Sequence, residues 1–290
     1  MPLPKFDYIA PKTLKEVSEL LEKYGDKAKL KAGGTDLLIR MNNRVLTPEV
    51  VIGLKQLEEL NYIEYDEKNG LKIGALATLS DVANNKTIRA KYPAISYAAS
   101  VTATNQVRNM GTVIGNLCNA APSADNAPGL LALEGKAVLF SKAGERTVEL
   151  EDFFKGPGMT CLEKNEILKE VIVPVHPKNS AAVYNKISPR SKVDIAIVNV
   201  GVFVEVDNKK FTKVNIFLGA VAPIPMRAEK AEDFLTGKEI SEENIYQAGK
   251  IASDEASPIS DVRSSKEYRK MMVEILTRRS IADAVNIVSC

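Results

Sequence analysis

Histidine, cysteine and tryptophan are nearly missing from this chain, and each gap removes a class of chemistry. Its 290 residues include one histidine, three cysteines and no tryptophan. With His176 alone, a multi-histidine metal centre cannot be assembled. Cys118, Cys161 and Cys290 lie far apart, an odd number without metal-type spacing, and read as reduced thiols of a cytoplasmic protein. Excess charge is lacking too: 39 basic residues stand against 37 acidic ones, and a net charge of +2 gives no field to steer the chain toward nucleic acid. The longest apolar run, around Ile195 to Val206, is broken by Asn199 and Glu205 and falls short of a membrane span. The opening Met1-Pro2-Leu3-Pro4-Lys5-Phe6-Asp7-Tyr8 has no apolar core of the signal-peptide kind. Neither GxxxxGK(S/T) nor GxGxxG occurs, so the common nucleotide folds fit poorly. Nucleic acid and membrane are not expected partners.

Two glycine stretches stand out against these absences: Leu30-Lys31-Ala32-Gly33-Gly34-Thr35-Asp36-Leu37 and Gly111-Thr112-Val113-Ile114-Gly115-Asn116. Each sets Gly beside Thr or Asn. A backbone meets a pyrophosphate in this way, with no Cβ in the path, amide N–H groups open and hydroxyls at hand. Either stretch alone also suits an ordinary turn into a capped helix. Two in one chain favour phosphate.

The rest of the pattern is that of a globular protein long enough for two domains. Thr13-Leu14-Lys15-Glu16 forms a capping box, and apolar residues at helical spacing follow to Tyr24. A strand at 28–32, a helix at 37–41 and a buried strand at 50–54 predict a small βαβ layer. Asn69-Gly70 predicts a hairpin turn between 62–65 and 71–75. Helical patterns at 79–85 and 93–103 come next. Pro174 to Ser180 is proline-rich and aperiodic, a linker that splits the chain into 1–175 and 176–290. Within the first part, subdomains of about 1–57 and 58–175 are expected. Beyond the linker, strand-like runs at 181–187, 195–206 and 211–220 precede helical runs at 228–236, 241–255 and 265–288. Strands first and helices afterwards is the α+β order.

Several of these pieces together resemble a known family. Ala32-Gly33-Gly34-Thr35-Asp36 is the first. The stretch from Thr112 to Asp125 is the second, similar to that family's T-I-G-G-N followed by S-P-A-x-D. Glu166-Ile167-Leu168, Tyr184-Asn185-Lys186, Asp194 to Asn199, and the tail residues Asp261-Val262-Arg263, Tyr268-Arg269 and Arg278-Arg279 complete the match. The whole chain resembles the FAD-binding medium subunit of the molybdenum hydroxylases, the xanthine dehydrogenase and carbon monoxide dehydrogenase family, of which a nicotinate dehydrogenase FAD subunit is an example.

The resemblance implies an α+β fold: a vanillyl-alcohol-oxidase-type FAD-binding domain of two α/β subdomains, then a C-terminal three-stranded antiparallel sheet packed with helices. It implies that Leu30 to Leu37 and Thr112 to Asn116 (Thr112, Val113, Ile114, Gly115, Asn116) clamp the FAD pyrophosphate from two sides. By the same carry-over, Asp125 would bond sugar or ribityl hydroxyls, and Thr102 would lie near the adenosine. Leu168 and Lys186 would stand at the flavin end, and Leu162 would face the isoalloxazine ring. Backbone N–H groups with the Thr35 and Thr112 hydroxyls could neutralise a pyrophosphate without lysine. Asp36 would be repelled by phosphate, so it is expected to cap the following helix. Lys186 could stabilise negative charge on reduced flavin. On residue type alone, Lys186 reads as an exposed edge-strand lysine and Asp125 as a turn residue; the family pattern reverses both. One position departs from type: Ile114 stands where the family has glycine, and its side chain is expected to limit positive φ and narrow the backbone's approach.

The function so implied is electron relay. Molybdopterin and [2Fe-2S] clusters would belong to partner subunits, and FAD in this chain would pass electrons to a final acceptor such as NAD or NADP. The substrate, an N-heterocycle such as nicotinate or a purine, would be oxidised in the molybdenum subunit. Alternatives are a stand-alone flavin oxidoreductase of the same FAD fold and a scaffold without flavin. A benzoyl-CoA-reductase-like branch would need an inserted cysteine-rich loop, which three scattered cysteines do not supply.

Overall fold

The structure, a computed structural model, describes residues 2–190 and 193–289; Cys290 lies outside them. Three principal sheets succeed one another along the chain. The first is parallel: strands β1 (Asp7–Ile9), β2 (Ala28–Lys31) and β3 (Val50–Gly53) line up in the order β1-β3-β2. Helices Leu14–Tyr24 and Leu37–Asn42 carry its two crossovers, which is the predicted βαβ layer. All four residues of β3 are buried, so it reads as an unbroken apolar run. Thr13 caps the first helix by accepting from the Glu16 amide, as expected. The Glu16 carboxylate, however, takes the Lys12 amide rather than that of Thr13. A fully reciprocal capping box forms at Thr78 and Asp81 instead, ahead of helix Leu79–Asn84.

Seven strands follow: β4 (Ile63–Asp66), β5 (Gly70–Gly74), β6 (Lys136–Ser141), β7 (Gly144–Glu149), β8 (Phe154–Gly156), β9 (Met159–Thr160) and β10 (Ile167–Val173). Five of them make an antiparallel sheet in the order β4-β5-β10-β6-β7, and β8 pairs with β9 as a small hairpin. Gly70 opens β5 with a φ of +84°, as the expected hairpin turn requires. Between β5 and β6 run six short helices: Leu79–Asn84, Lys86–Lys91, Pro93–Val101, Asn105–Arg108, Val113–Cys118 and Asn126–Ala132. The last is buried at every residue. Its Pro128 and Gly129 hide it from a periodicity search.

The third sheet holds β11 (Ser180–Ile187), β12 (Val198–Asp207), β13 (Lys210–Gly219) and β14 (Met226–Arg227), antiparallel and adjacent in that order. Three long strands were expected; β14 adds a fourth at the edge. Two residues are too few to show a strand period in sequence. Helices Glu229–Leu235, Glu242–Glu255 and Lys266–Ser289 complete the chain.

Both faces of this third sheet are covered, and the strand period divides its residues between two cores. Val198, Val200, Val202 and Val204 on β12, with Val214, Ile216 and Leu218 on β13, pack in the core formed with the C-terminal helices. Ala182 and Tyr184 on β11, Phe203 on β12 and Phe217 on β13 join the core of the preceding part of the chain. Helix Asn126–Ala132 lies on that second face. Glycine makes the approach possible: a Cβ on Gly201 would stand 2.1 Å from the Pro128 carbonyl oxygen. Burial on both sides explains why β12 reads as a nearly continuous apolar run despite being antiparallel.

Candidate functional site

The two glycine stretches meet. After β2, residues 32–36 turn into helix Leu37–Asn42 with Gly34 at φ +77°. A Cβ on Gly33 would fall 1.8 Å from the Met110 carbonyl oxygen, so only glycine lets the first loop lie against the residue preceding the second. Across the same contact, a Cβ on Gly111 would be 3.3 Å from Thr35 Oγ1. The Lys31 side chain folds beside Gly34, where its Cε would stand 2.8 Å from an added Cβ.

Backbone donors accumulate at this junction. Among the described residues, the amides of Gly33, Gly34, Thr35 and Asp36 find no acceptor in the chain. The second loop adds the first-turn amide of Ile114. Thr112 caps helix Val113–Cys118, its Oγ1 accepting from the Gly115 amide at 2.9 Å. A Cβ on Gly115 would also lie 2.9 Å from that oxygen, so glycine there lets the cap close. Having accepted one hydrogen bond, the Thr112 hydroxyl still has a proton to donate.

Two expectations about these loops change. Asp36 precedes its helix but makes no capping hydrogen bond. Its backbone is already helical, φ −89° and ψ −45°, and a capping side chain needs the extended conformation. Ile114 sits inside the second helix, 4% exposed and part of the main core, with no positive φ to disfavour a side chain. It therefore packs inward and does not narrow the backbone's approach.

A second constellation gathers around Asp125, where the chain enters helix Asn126–Ala132. Its Oδ2 accepts from Lys186 Nζ at 2.8 Å, and its Oδ1 from the Tyr184 hydroxyl at 2.9 Å and from Asn199 Nδ2 at 3.4 Å. Lys186 Nζ also donates to the Val101 carbonyl at 3.3 Å. Tyr184 and Lys186 alternate on β11, and Lys186 pairs with Asn199 on β12, so all three point from the same sheet face. The side chains of the ion pair are only 3% and 10% exposed. Burial pushes the Asp125 carboxyl upward, while Lys186, Tyr184 and Asn199 pull it back. The Tyr184 phenol is raised by burial first and by the neighbouring carboxylate second.

Thr102 and Asn116 belong to the same neighbourhood. The Thr102 hydroxyl donates to the Ala98 carbonyl at 2.7 Å, and Asn116 Oδ1 accepts from Asn126 Nδ2 at 3.0 Å. Arg108 reaches the carbonyls of Thr102 and Ala103, holding Ala103 at φ +48°, a conformation that favours glycine. Leu168, by contrast, is a core residue of β10 opposite Leu139, 1% exposed. Leu162 is half-buried in the turn after β9, which Arg146 anchors through the Cys161 carbonyl and a two-pronged bond to Glu166 at 2.6 and 2.7 Å. Burial pushes the Cys118 thiol up to about 12, the state of an inert thiol. The cavity of about 170 Å³ beside Leu131, Asn215 and Arg227, and the groove of about 570 Å³ around Tyr8, Lys12 and Lys55, touch none of the expected site residues.

Tyr184, Asn199, Asn126 and Arg108 were not among the expected ligands. A signal existed for two of them: Tyr184 lies two residues before Lys186, and Asn199 is a lone amide inside an apolar strand. Nothing in the local pattern marks Asn126 or Arg108.

Residues 4–176 match the family model of the FAD binding domain in molybdopterin dehydrogenase, and residues 183–284 that of the CO dehydrogenase flavoprotein C-terminal domain. The chain is 34% identical to the nicotinate dehydrogenase FAD-subunit of Eubacterium barkeri, over 97% of this chain and 96% of that protein. It is 32% identical to the glyceraldehyde dehydrogenase medium chain of Sulfolobus acidocaldarius, over 97% and 98%. Among solved structures, a chain of carbon monoxide dehydrogenase from Hydrogenophaga pseudoflava, lacking the Mo-pyranopterin moiety of the molybdenum cofactor, superposes with a TM-score of 0.95. That pair is 33% identical, with 99% of each chain covered. Quinoline 2-oxidoreductase from Pseudomonas putida 86 gives a TM-score of 0.92 at 30% identity, again over 99% of both chains.

Proposed function

The chain belongs to the FAD-binding flavoprotein-subunit family of the molybdopterin-dependent dehydrogenases, and on that premise we propose that its two glycine loops hold the pyrophosphate of FAD. The observation that carries this reading is the run of unpartnered amides from Gly33 to Asp36, set against the second loop with its Ile114 amide. A phosphate oxygen satisfies such donors without a lysine. Thr112 adds its spare hydroxyl proton. Three of the roughly four lone-pair positions of the Asp125 carboxylate are filled by protein donors, which leaves one on Oδ2 for a hydroxyl of the cofactor's sugar or ribityl chain. Lys186 has spent two of its three donors and keeps one for the flavin end. Thr102, Leu162 and Leu168 are assigned to the same cofactor, Leu162 as apolar wall.

FAD supplies a group that takes electrons singly and gives them up as a pair. This chain's part is to bind it, orient it and keep the surrounding polar groups satisfied. The iron–sulfur and molybdenum centres are assigned to partner subunits. A [2Fe-2S] cluster takes four cysteine thiolates, and the sequence has three cysteines in all. We assign the final acceptor as NAD or NADP and the complex's substrate as an N-heterocycle such as nicotinate; the nicotinate dehydrogenase relative supports the second choice. Among the described residues no helix is long and apolar enough to cross a membrane, which accords with a cytoplasmic site.

The test is to express the full chain and measure bound flavin. One FAD per chain, with a flavin absorption spectrum, is expected; a colourless chain that takes up no added FAD overturns the reading. Co-purification of subunits carrying iron–sulfur and molybdopterin separates electron relay from a stand-alone flavin oxidoreductase.

A further inference from the structure

The Asp125 cluster and the second glycine loop are not independent. Asn126, the next residue after Asp125, bridges them while its own side chain is buried at 2% exposure. Its backbone amide donates to Asn116 Oδ1 at 3.3 Å, and its Nδ2 donates to the same oxygen at 3.0 Å and to Thr102 Oγ1 at 3.3 Å.

The orientation of this amide is forced by its neighbours. The Thr102 hydroxyl spends its proton on the Ala98 carbonyl, so it can only accept from Asn126. Asn116 Oδ1 is an acceptor by nature, so both neighbours require the Nδ2 of Asn126 to face them. The arrangement leaves Asn126 Oδ1 buried without a partner. The bonds on the other side must outweigh that cost. Asn126 therefore acts as a two-pronged donor and nothing else.

On one side stand Tyr184, Lys186 and Asn199 of the C-terminal sheet, gripping Asp125. On the other stand Asn116, in the helix that Thr112 caps, and Thr102, whose carbonyl Arg108 holds. Asp125 and Asn126 are adjacent, so they form a continuous link from the sheet to the loops, beside the direct bond of Lys186 Nζ to the Val101 carbonyl. We propose that Asn126 is a positioning residue of the cofactor site, fixing the second glycine loop and the Thr102 turn relative to the C-terminal sheet. This rests on the FAD reading above, because the loop matters through the cofactor it holds.

A control residue exists in the same helix-on-sheet contact. Asn215 of β13 donates to the Ala132 carbonyl at 2.9 Å, tying the far end of helix Asn126–Ala132 to the sheet without touching either loop. The experiment compares Asn126→Ala, Asn126→Ser, Asn126→Asp and Asn215→Ala in the full chain, reading the FAD dissociation constant, the visible circular dichroism of bound flavin and Tm. Asn126→Ala is expected to weaken FAD about tenfold, the equivalent of one to two hydrogen bonds, and to change the flavin dichroism. Asn126→Ser keeps one donor and falls between wild type and alanine. Asn126→Asp sets carboxylate oxygens against two acceptors and falls below alanine. Asn215→Ala lowers Tm but leaves affinity and dichroism as in wild type. If the Asn126 variants lose Tm yet bind FAD with unchanged affinity and dichroism, or if Asn215→Ala shifts them equally, the inference is overturned. A wild-type chain that takes up no FAD is a different result: it defeats the FAD reading itself, and this one with it.

Discussion

The glycine loops and the Asp125 cluster, assigned above to one cofactor, are built by opposite means. The loops offer backbone amides that stay unpaired within the chain, while in the second loop Thr112 is turned into a cap and Ile114 into the core. In the cluster every charge is already answered: Lys186 by Asp125, and Asp125 by Lys186, Tyr184 and Asn199. The amides of the first region wait for a ligand, whereas the charges of the second are balanced without one and keep only one spare acceptor and one spare donor. The difference predicts that breaking the cluster costs the fold, while breaking a loop costs the cofactor.

The largest effect tests the cluster half of that contrast. Asp125→Ala strands the Lys186 ammonium in a buried site and is expected to destabilise the chain by about 3–5 kcal/mol, read from denaturant midpoints. Replacing both charges, as Asp125→Asn with Lys186→Met, removes the stranded charge and should recover most of that loss. The double variant should nevertheless bind FAD about tenfold more weakly, because the spare acceptor on Oδ2 and the spare donor on Nζ are gone. Unchanged affinity in the double variant would make the pair a strut alone.

Next comes Gly33→Val, aimed at the loop half. The new side chain meets the Met110 carbonyl and pushes the two loops apart. Overpacking of this kind costs about 1–3 kcal/mol of stability, and the expected result is a folded chain without bound flavin. Circular dichroism in the far ultraviolet checks the first part, and the absorption spectrum of the purified protein the second. Loss of FAD at a smaller stability cost than Asp125→Ala is the pattern that the comparison demands.

The same contrast explains what could be read from the amino acids. Backbone-built features announce themselves by composition, because glycine marks the places where a turn or a close approach is needed; hence the meeting loops, the Asn69-Gly70 hairpin and the parallel βαβ layer left a trace in the sequence. Side-chain clusters form across the fold and leave weaker traces. Asp125 and Lys186 were recoverable only through family resemblance, and that they neutralise each other depends on β11 lying against the start of a helix some 60 positions earlier. Asp36 misled because its chemical type suits a cap while its backbone does not. Ile114 misled in the reverse sense: a glycine of the family pattern was credited with a φ that the helix never uses. Helix Asn126–Ala132 shows no helical pattern in the sequence, since its glycine and proline are there to meet the sheet rather than to favour a helix.

The smallest effect lies where the two halves of the contrast overlap. Thr112 is a cap, so it belongs to the fold, yet it keeps a hydroxyl proton that the proposed reading gives to the cofactor. Thr112→Ala removes both functions and should lower stability by about 1 kcal/mol, the usual cost of a lost cap. Thr112→Asn can still cap the Gly115 amide through its side-chain oxygen. The stability of that variant should therefore return to near wild type. Its FAD affinity should not fully return, because an amide set for capping aims its own donors differently from a hydroxyl. Parallel measurements of Tm and flavin dissociation on the two variants separate the roles: recovery of both together would mean that Thr112 acts on FAD only by building the helix.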